Sequence, residues 1–305
     1  MTATSAPEGI TDLSLDRELP TLGADPTQRR RGLRSAELWV QISLFAIGLL
    51  VSLPILVAIF TSFTPLPRIL ADANSIWTPP WTFDNYVTAW TATPFGRFMF
   101  NSFAQTGIIT LATVLTSIFA GYAFAMFRFP GRNAAFAVVL GSLMVPFELT
   151  FIPNFVLISD LGWANTFRGL TVPFLANAFG IFLLRQFFLV LPKDLHDAAK
   201  IDGASDWYYL WKVAVPLSKG AISALTIFSF LGAWNQYLWP LIITNDESMR
   251  TAQIGIRFFL INQEAAINWG AIMAGATIVM LPTLAVFLVA QRQLVKGLAM
   301  SGLKG

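Results

Sequence analysis

The chain has no cysteine and a single histidine, and only 12% of its residues are charged, against about a quarter in an average soluble domain. Without cysteine there is no disulfide, no thiolate metal site and no sulfur nucleophile. The lone His196 leaves no His-Glu-x-x-His pair for zinc, and no Gly-x-Ser-x-Gly elbow carries a serine nucleophile. A Gly-x4-Gly-Lys-Ser/Thr phosphate loop is missing too, so ATP hydrolysis would have to come from a partner. Basic residues form no stripe interleaved with aromatics, which argues against nucleic-acid binding. These absences together predict a non-catalytic chain with no catalytic residue, no metal site and no cofactor of its own.

What the sequence does have is apolar length. Hydrophobic residues make up 55% of its 305 positions. A helix crossing hydrocarbon needs about 20 apolar residues, and six segments qualify: Trp39 to Thr61, Ser102 to Met126, Ala134 to Ile158, Gly169 to Leu191, Ala221 to Thr244 and Ala271 to Gln291. Backbone groups in hydrocarbon must be bonded internally, which restricts spans to helices or a closed barrel. Continuous apolar runs rather than ten-residue alternating ones choose helices. The expected class is an all-α membrane protein with six transmembrane helices. Gln105, Asn235 and Gln236 interrupt the second and fifth segments, a mixture that suits helices buried in a bundle.

Residues 1–38 are polar, mixed in charge and carry Pro7, Pro20 and Pro26, so a mobile cytoplasmic tail is expected there, followed by a permease-like membrane domain over 39–305. The apolar run from Trp39 is too long and too far from the start for a cleaved signal peptide, and reads as an uncleaved first span. Orientation follows the placement of Lys and Arg. Fifteen of the 20 lie in the tail, around the second loop (Arg128, Arg132), around the fourth span (Arg185, Lys193, Lys200, Lys212, Lys219) and at the end (Arg292, Lys296, Lys304). Both termini and the loop 192–216 are therefore expected to be cytoplasmic.

That loop carries the densest pattern in the chain. Asp197-Ala198-Ala199 is followed after three residues by Gly203, and after nine more by Val213-x-Val215-Pro216. Physically it reads as helix, turn, helix: Pro192 and Asp194 suit a helix start, Gly203 a left-handed stop, and Ser205 a cap for the next piece. Leu195, Ala198 and Asp202 share one face, with Ala199 beside them, giving a narrow surface of small residues. Trp207, Tyr208, Tyr209 and Trp211 follow, aromatics that suit a membrane interface.

The spacing resembles the cytoplasmic coupling loop of ABC-importer permeases, Glu-Ala-Ala-x3-Gly-x9-Ile-x-Leu-Pro, with Asp197 in place of Glu and Val213 and Val215 in place of Ile and Leu. The ending Gln291-Arg292-x-Leu294-Val295-x-Gly297-Leu298, closing in Gly302-Leu303-Lys304-Gly305, is similar to the C-terminus of the second permease subunit of maltose-type carbohydrate importers. Leu143 to Glu148, Phe182 to Phe188 and Trp234 to Leu241 are similar to the glycerol-3-phosphate and glycerophosphodiester branch of that family. The resemblance implies a type I importer permease fold in a bacterial inner membrane, working by alternating access. It also implies the partners: a second homologous permease subunit, a homodimeric ATPase that binds ATP and Mg, an extracytoplasmic solute-binding protein, and a sugar or glycerol-phosphate solute. Asp197, Ala198, Ala199, Asp202, Gly203 and Pro216 would then couple the chain to the ATPase.

Candidates for contact with a solute are fewer. Glu148 is the one acidic residue well inside an expected span, where a charge costs about 2.5 to 3.5 kcal/mol. It reads as a pathway contact, an interhelical bond, or a structural hydrogen bond near Pro146 and Pro153. In the fifth span Thr226, Ser229, Gly232 and Gln236 recur at helical spacing, with Asn235 beside them and Trp234 and Tyr237 placed to stack on a sugar. Close helix packing explains the same stripe. Arg185 is expected to snorkel to the cytoplasmic surface. A proton-coupled secondary transporter is the rival reading, since proline-broken spans and a buried Glu suit one. No inverted repeat is evident, however, and the loop 192–216 would then lack a purpose.

Overall fold

A computed structural model of the chain describes residues 26–261 and 267–301, and every regular element among them is helical. Residues 1–25 of the expected tail and the closing residues 302–305 lie outside the described residues. Residues Met1–Pro54 and Ile55–Gly305 form two units. The helix α1 (Pro26–Phe63) opens inside the stretch assigned to the tail and runs past Pro54. In the first unit its apolar side chains, among them Trp39, Phe45 and Leu50, are exposed, as a membrane-facing surface would be.

In the second unit α1 ends near two short pieces, α2 (Leu66–Ala71) and α3 (Asp84–Thr91). Buried Asn85 donates to the carbonyls of Ser62 and Thr64, pairing backbone acceptors that the end of a helix leaves open. The helix α4 (Phe95–Met126) is the longest unbroken rod after α1 and α15. One side of α4 is a row of buried polar and small residues, Asn101, Gln105, Thr106, Thr110, Thr113, Ser117 and Gly121. The interruption of the second span by Gln105 is thus a mark of burial, as the sequence suggested.

Next come α5 (Arg132–Ser142) and α6 (Phe147–Asp160), bent 97° apart, so the third expected span is not one rod. The cause is Pro146, whose ring excludes the continuing helix and forces the residue before it out of the helical region. The fourth expected span is also broken, by 43°, between α7 (Phe167–Thr171), continued by a 3₁₀ turn to Phe174, and α8 (Ala178–Leu189). Asn177 caps α8 by accepting the amide of Gly180.

After α9 (Lys193–Ile201) the chain runs through α10 (Asp206–Tyr209), a π-helical turn Leu210–Ala214 and α11 (Val215–Leu217), then turns 79° into α12 (Lys219–Trp234). The fifth expected span stops at Trp234 instead of running to Thr244. Asn235 and Gln236 form the break, and α13 (Leu238–Ile243) is a separate piece. Pro240 supplies no amide to carry the helix across, and Asn235 closes α12 by donating to the carbonyl of Leu231. α14 (Ala252–Ile261) and α15 (Trp269–Ser301) complete the set. Among the described residues three helices are individually long and apolar enough to cross a membrane, and the three bent pairs raise the number to six when each counts as one span.

Packing centres on α4, which lies along α8 and α12. A β-carbon on Gly180 would collide with the hydroxyl of Ser117, and one on Gly121 would meet the Arg185 amide at 3.0 Å. Small residues therefore set how closely α4 and α8 approach. One apolar cluster joins Phe95 and Phe98 at the start of α4 to Trp234 and α15. A second joins Ile118 and Tyr122 at its far end to Leu184, Phe188, Tyr209 and Leu210. The loop 192–216 is seated on this second cluster.

Candidate coupling elbow and polar pathway

The segment 192–216 folds as its spacing requires. Pro192 is the residue before α9, and Asp194 lies in its first turn, where the positive end of the helix dipole favours a carboxylate. At the other end the Ala204 amide donates to the Ala199 carbonyl at 2.9 Å and the Gly203 amide to the Lys200 carbonyl at 3.0 Å. Gly203 has a φ of +77°. This is a Schellman closure, and it needs a left-handed residue where glycine bears no penalty. Ser205 then accepts the Tyr208 amide and starts α10.

Leu195, Asp197, Ala198, Asp202 and Gly203 are exposed, while Pro216 is half-buried. Ala199 differs from the expectation: it is half-buried and packs on the cluster of Tyr122, Phe188 and Tyr209. At 3.6 residues per turn Ala199 is rotated about 100° from Ala198, enough to bring it round to the side on which the loop rests. The outward surface therefore includes Leu195, Asp197, Ala198, Asp202 and Gly203, together with exposed Lys193, Asp194, Lys200 and Ile201.

Three residues not read as anchors from the sequence hold this elbow in place. The hydroxyl of Tyr122 on α4 donates to the Asp206 carbonyl at 3.3 Å. Tyr209 is buried beside it. His196 has a side chain only 19% exposed, between Asp197 and Asp206. No local signal marked Tyr209 within its aromatic run, whereas Trp207 and Tyr208 stay exposed. Arg185 does not simply reach for the surface. Its guanidinium lies 4.0 Å over the Phe136 ring and its Nε donates to the Phe124 carbonyl, which ties α8 to α4 and α5.

The pathway candidates do not come together. Trp234 is buried, donates Nε1–H to the Val279 carbonyl and stacks on Phe230, so it serves packing. Gln236 accepts from Gln105 at 2.7 Å, across the break that follows α12. Asn235 is exposed and Tyr237 half-buried. Glu148 is exposed in the first turn of α6, at the 97° bend, and makes no hydrogen bond or ion pair among the described residues.

Residues 112–300 match the family model described as binding-protein-dependent transport system inner membrane component. The chain belongs to that family. The matched stretch contains the whole elbow, the α5–α6 bend and the break after α12. This permease family includes the sn-glycerol-3-phosphate transport system permease protein UgpE of Yersinia enterocolitica, 36% identical over 277 residues that cover 89% of this chain and 98% of that one. The UgpE of Pectobacterium atrosepticum is 41% identical over 206 residues, 68% of this chain and 73% of its own. A solved chain of a bacterial ABC transporter that imports the acidic polysaccharide alginate superposes with a TM-score of 0.75 at 22% identity, covering 88% of this chain and 97% of that one. That likeness establishes the fold, an ABC-importer permease fold, and the family places the chain in the inner membrane.

Proposed function

We propose that this chain is a permease subunit of a binding-protein-dependent ABC importer for a glycerol-phosphate or related polyol solute. In this reading it forms half of a translocation pathway with a second homologous permease subunit. Six spans place both termini and the elbow in the cytoplasm, where a homodimeric ATPase carrying ATP and Mg seats α9, and an extracytoplasmic binding protein delivers the solute. One observation carries the reading. α9 presents Ala198 outward among charged and apolar side chains, ends in a glycine-dependent closure, and rests through Ala199, Tyr209 and Tyr122 on the bundle, so a load applied to it reaches the spans. The solute class rests on the extensive identity to sn-glycerol-3-phosphate permeases.

Glu148, Asn235, Gln236 and Tyr237 belong to this proposal as the residues nearest a pathway. Non-helical backbone and an unpaired carboxylate are tolerated at membrane depth only against protein or water, and two of the breaks carry these side chains. The test is uptake of labelled sn-glycerol 3-phosphate into vesicles holding the two permeases and the ATPase, with binding protein supplied on the outer face. Uptake that needs ATP and survives collapse of the proton gradient supports the proposal. Uptake that stops with the gradient and ignores ATP would establish a proton-coupled carrier instead.

A further inference from the structure

α9 and α10 meet at a turn that is open at its glycine: a β-carbon on Gly203 would find nothing within 4 Å. Besides the backbone closure at Gly203 and the Ser205 cap, side chains on either side of the turn can hold the angle between the two helices. His196 is placed to do this. Its Nε2 lies 3.7 Å from Oδ1 of Asp206, the first residue of α10, and its Nδ1 lies 3.9 Å from Oδ1 of Asp197 on its own helix. The imidazole meets the Tyr209 ring edge-on, with centroids 4.9 Å apart and planes at 81°. Beyond that contact, Tyr122 donates to the Asp206 carbonyl and packs edge-on against Phe188 of α8 at 5.8 Å. Contacts thus run unbroken from the outward helix, through one imidazole, into α4 and α8.

We infer that His196 is a positioning residue for coupling, the polar strut through which displacement of α9 is passed across the turn to α10 and Tyr122, and so into α4. The inference rests on the reading of α9 as the helix that takes the ATPase stroke. It adds a polar route for that stroke. Besides the covalent one through the π-helical turn and Pro216 to α12, and the apolar seat of Ala199, this lateral one reaches α4. The imidazole suits the task because its two ring nitrogens face a carboxylate on each side while its ring fills the space over Tyr209.

The test uses the complete transporter in vesicles, with both permeases, the ATPase and the binding protein, and reads solute moved per ATP hydrolysed. His196→Ala is expected to lower that ratio about threefold or more, the range of couplings carried by a single contact on such a route. His196→Gln keeps a donor in reach of Asp206 and is expected to recover most of the loss. His196→Phe keeps the packing on Tyr209, removes the donors, and is expected to stay low. It also carries the test should His196→Ala fail to assemble. A purely structural histidine would change the amount of complex recovered and leave the ratio per complex alone. Unchanged ratios in His196→Ala and His196→Phe, or a ratio in His196→Gln as low as in His196→Phe, would overturn the inference. Gly203→Asp in the same vesicles separates the two levels of argument. If it too couples normally, the docking of α9 is wrong; if it uncouples while the histidine variants do not, only the strut is wrong.

Discussion

At the scale of single residues, the glycines make the sharpest statements. Gly203 holds a φ of +77° in open space. Gly203→Asp therefore combines about 1 kcal/mol of backbone strain with a charge on the outward face, and the expected result is ATP hydrolysis with little uptake. Ala198→Glu should act in the same way. Ala199→Glu should instead loosen the seat of the elbow, because Ala199 faces Tyr209; limited proteolysis within 192–216 would show it. Gly169 is a different case. A β-carbon there would run into the Trp163 carbonyl, and the Gly169 carbonyl accepts Nε1–H of buried Trp239 at 3.0 Å. Gly169→Ala is expected to cost about 1 to 3 kcal/mol, visible as a lower melting temperature in detergent.

At the scale of elements, the breaks are the main finding. Each has a proline or an amide at its root: Pro146 between α5 and α6, Asn177 before α8, Asn235 and Pro240 between α12 and α13. The Gln105–Gln236 bond pins the last of these to α4. Gln105→Leu leaves the Gln236 amide without this partner, and a loss of about 0.6 kcal/mol is expected from comparable membrane pairs. The double variant Gln105→Leu with Gln236→Leu should recover part of it, since no polar group is then stranded. Thermal unfolding of the three proteins measures the difference. An equal or larger loss in the double variant would show that Gln105 matters by its shape rather than by this bond.

At the scale of the whole molecule, orientation is the open quantity, and the lack of cysteine makes it measurable. A single cysteine at Phe129 or Ser205 should react with a membrane-impermeant maleimide only after cells are opened, and one at Asn245 should react in intact cells. The reverse pattern would invert the topology and remove the elbow from any cytoplasmic ATPase. Amino-acid order alone made much of the molecule legible: helical class from uninterrupted apolar length, the elbow from a glycine and a serine at set spacing, and burial of the second span from its internal Gln105. These are local or periodic properties, and local backbone chemistry dictates them. Three things were decided only by the folded chain. Breaks at prolines and side-chain amides replaced three expected rods, because the depth of a bend depends on what packs beside it. Trp234 went to the core because Val279, far away in sequence, offers its carbonyl. Finally, Tyr122, His196 and Tyr209 became one contact line only because α4 passes beneath the elbow, and residues remote along the chain leave no periodic trace of such a meeting.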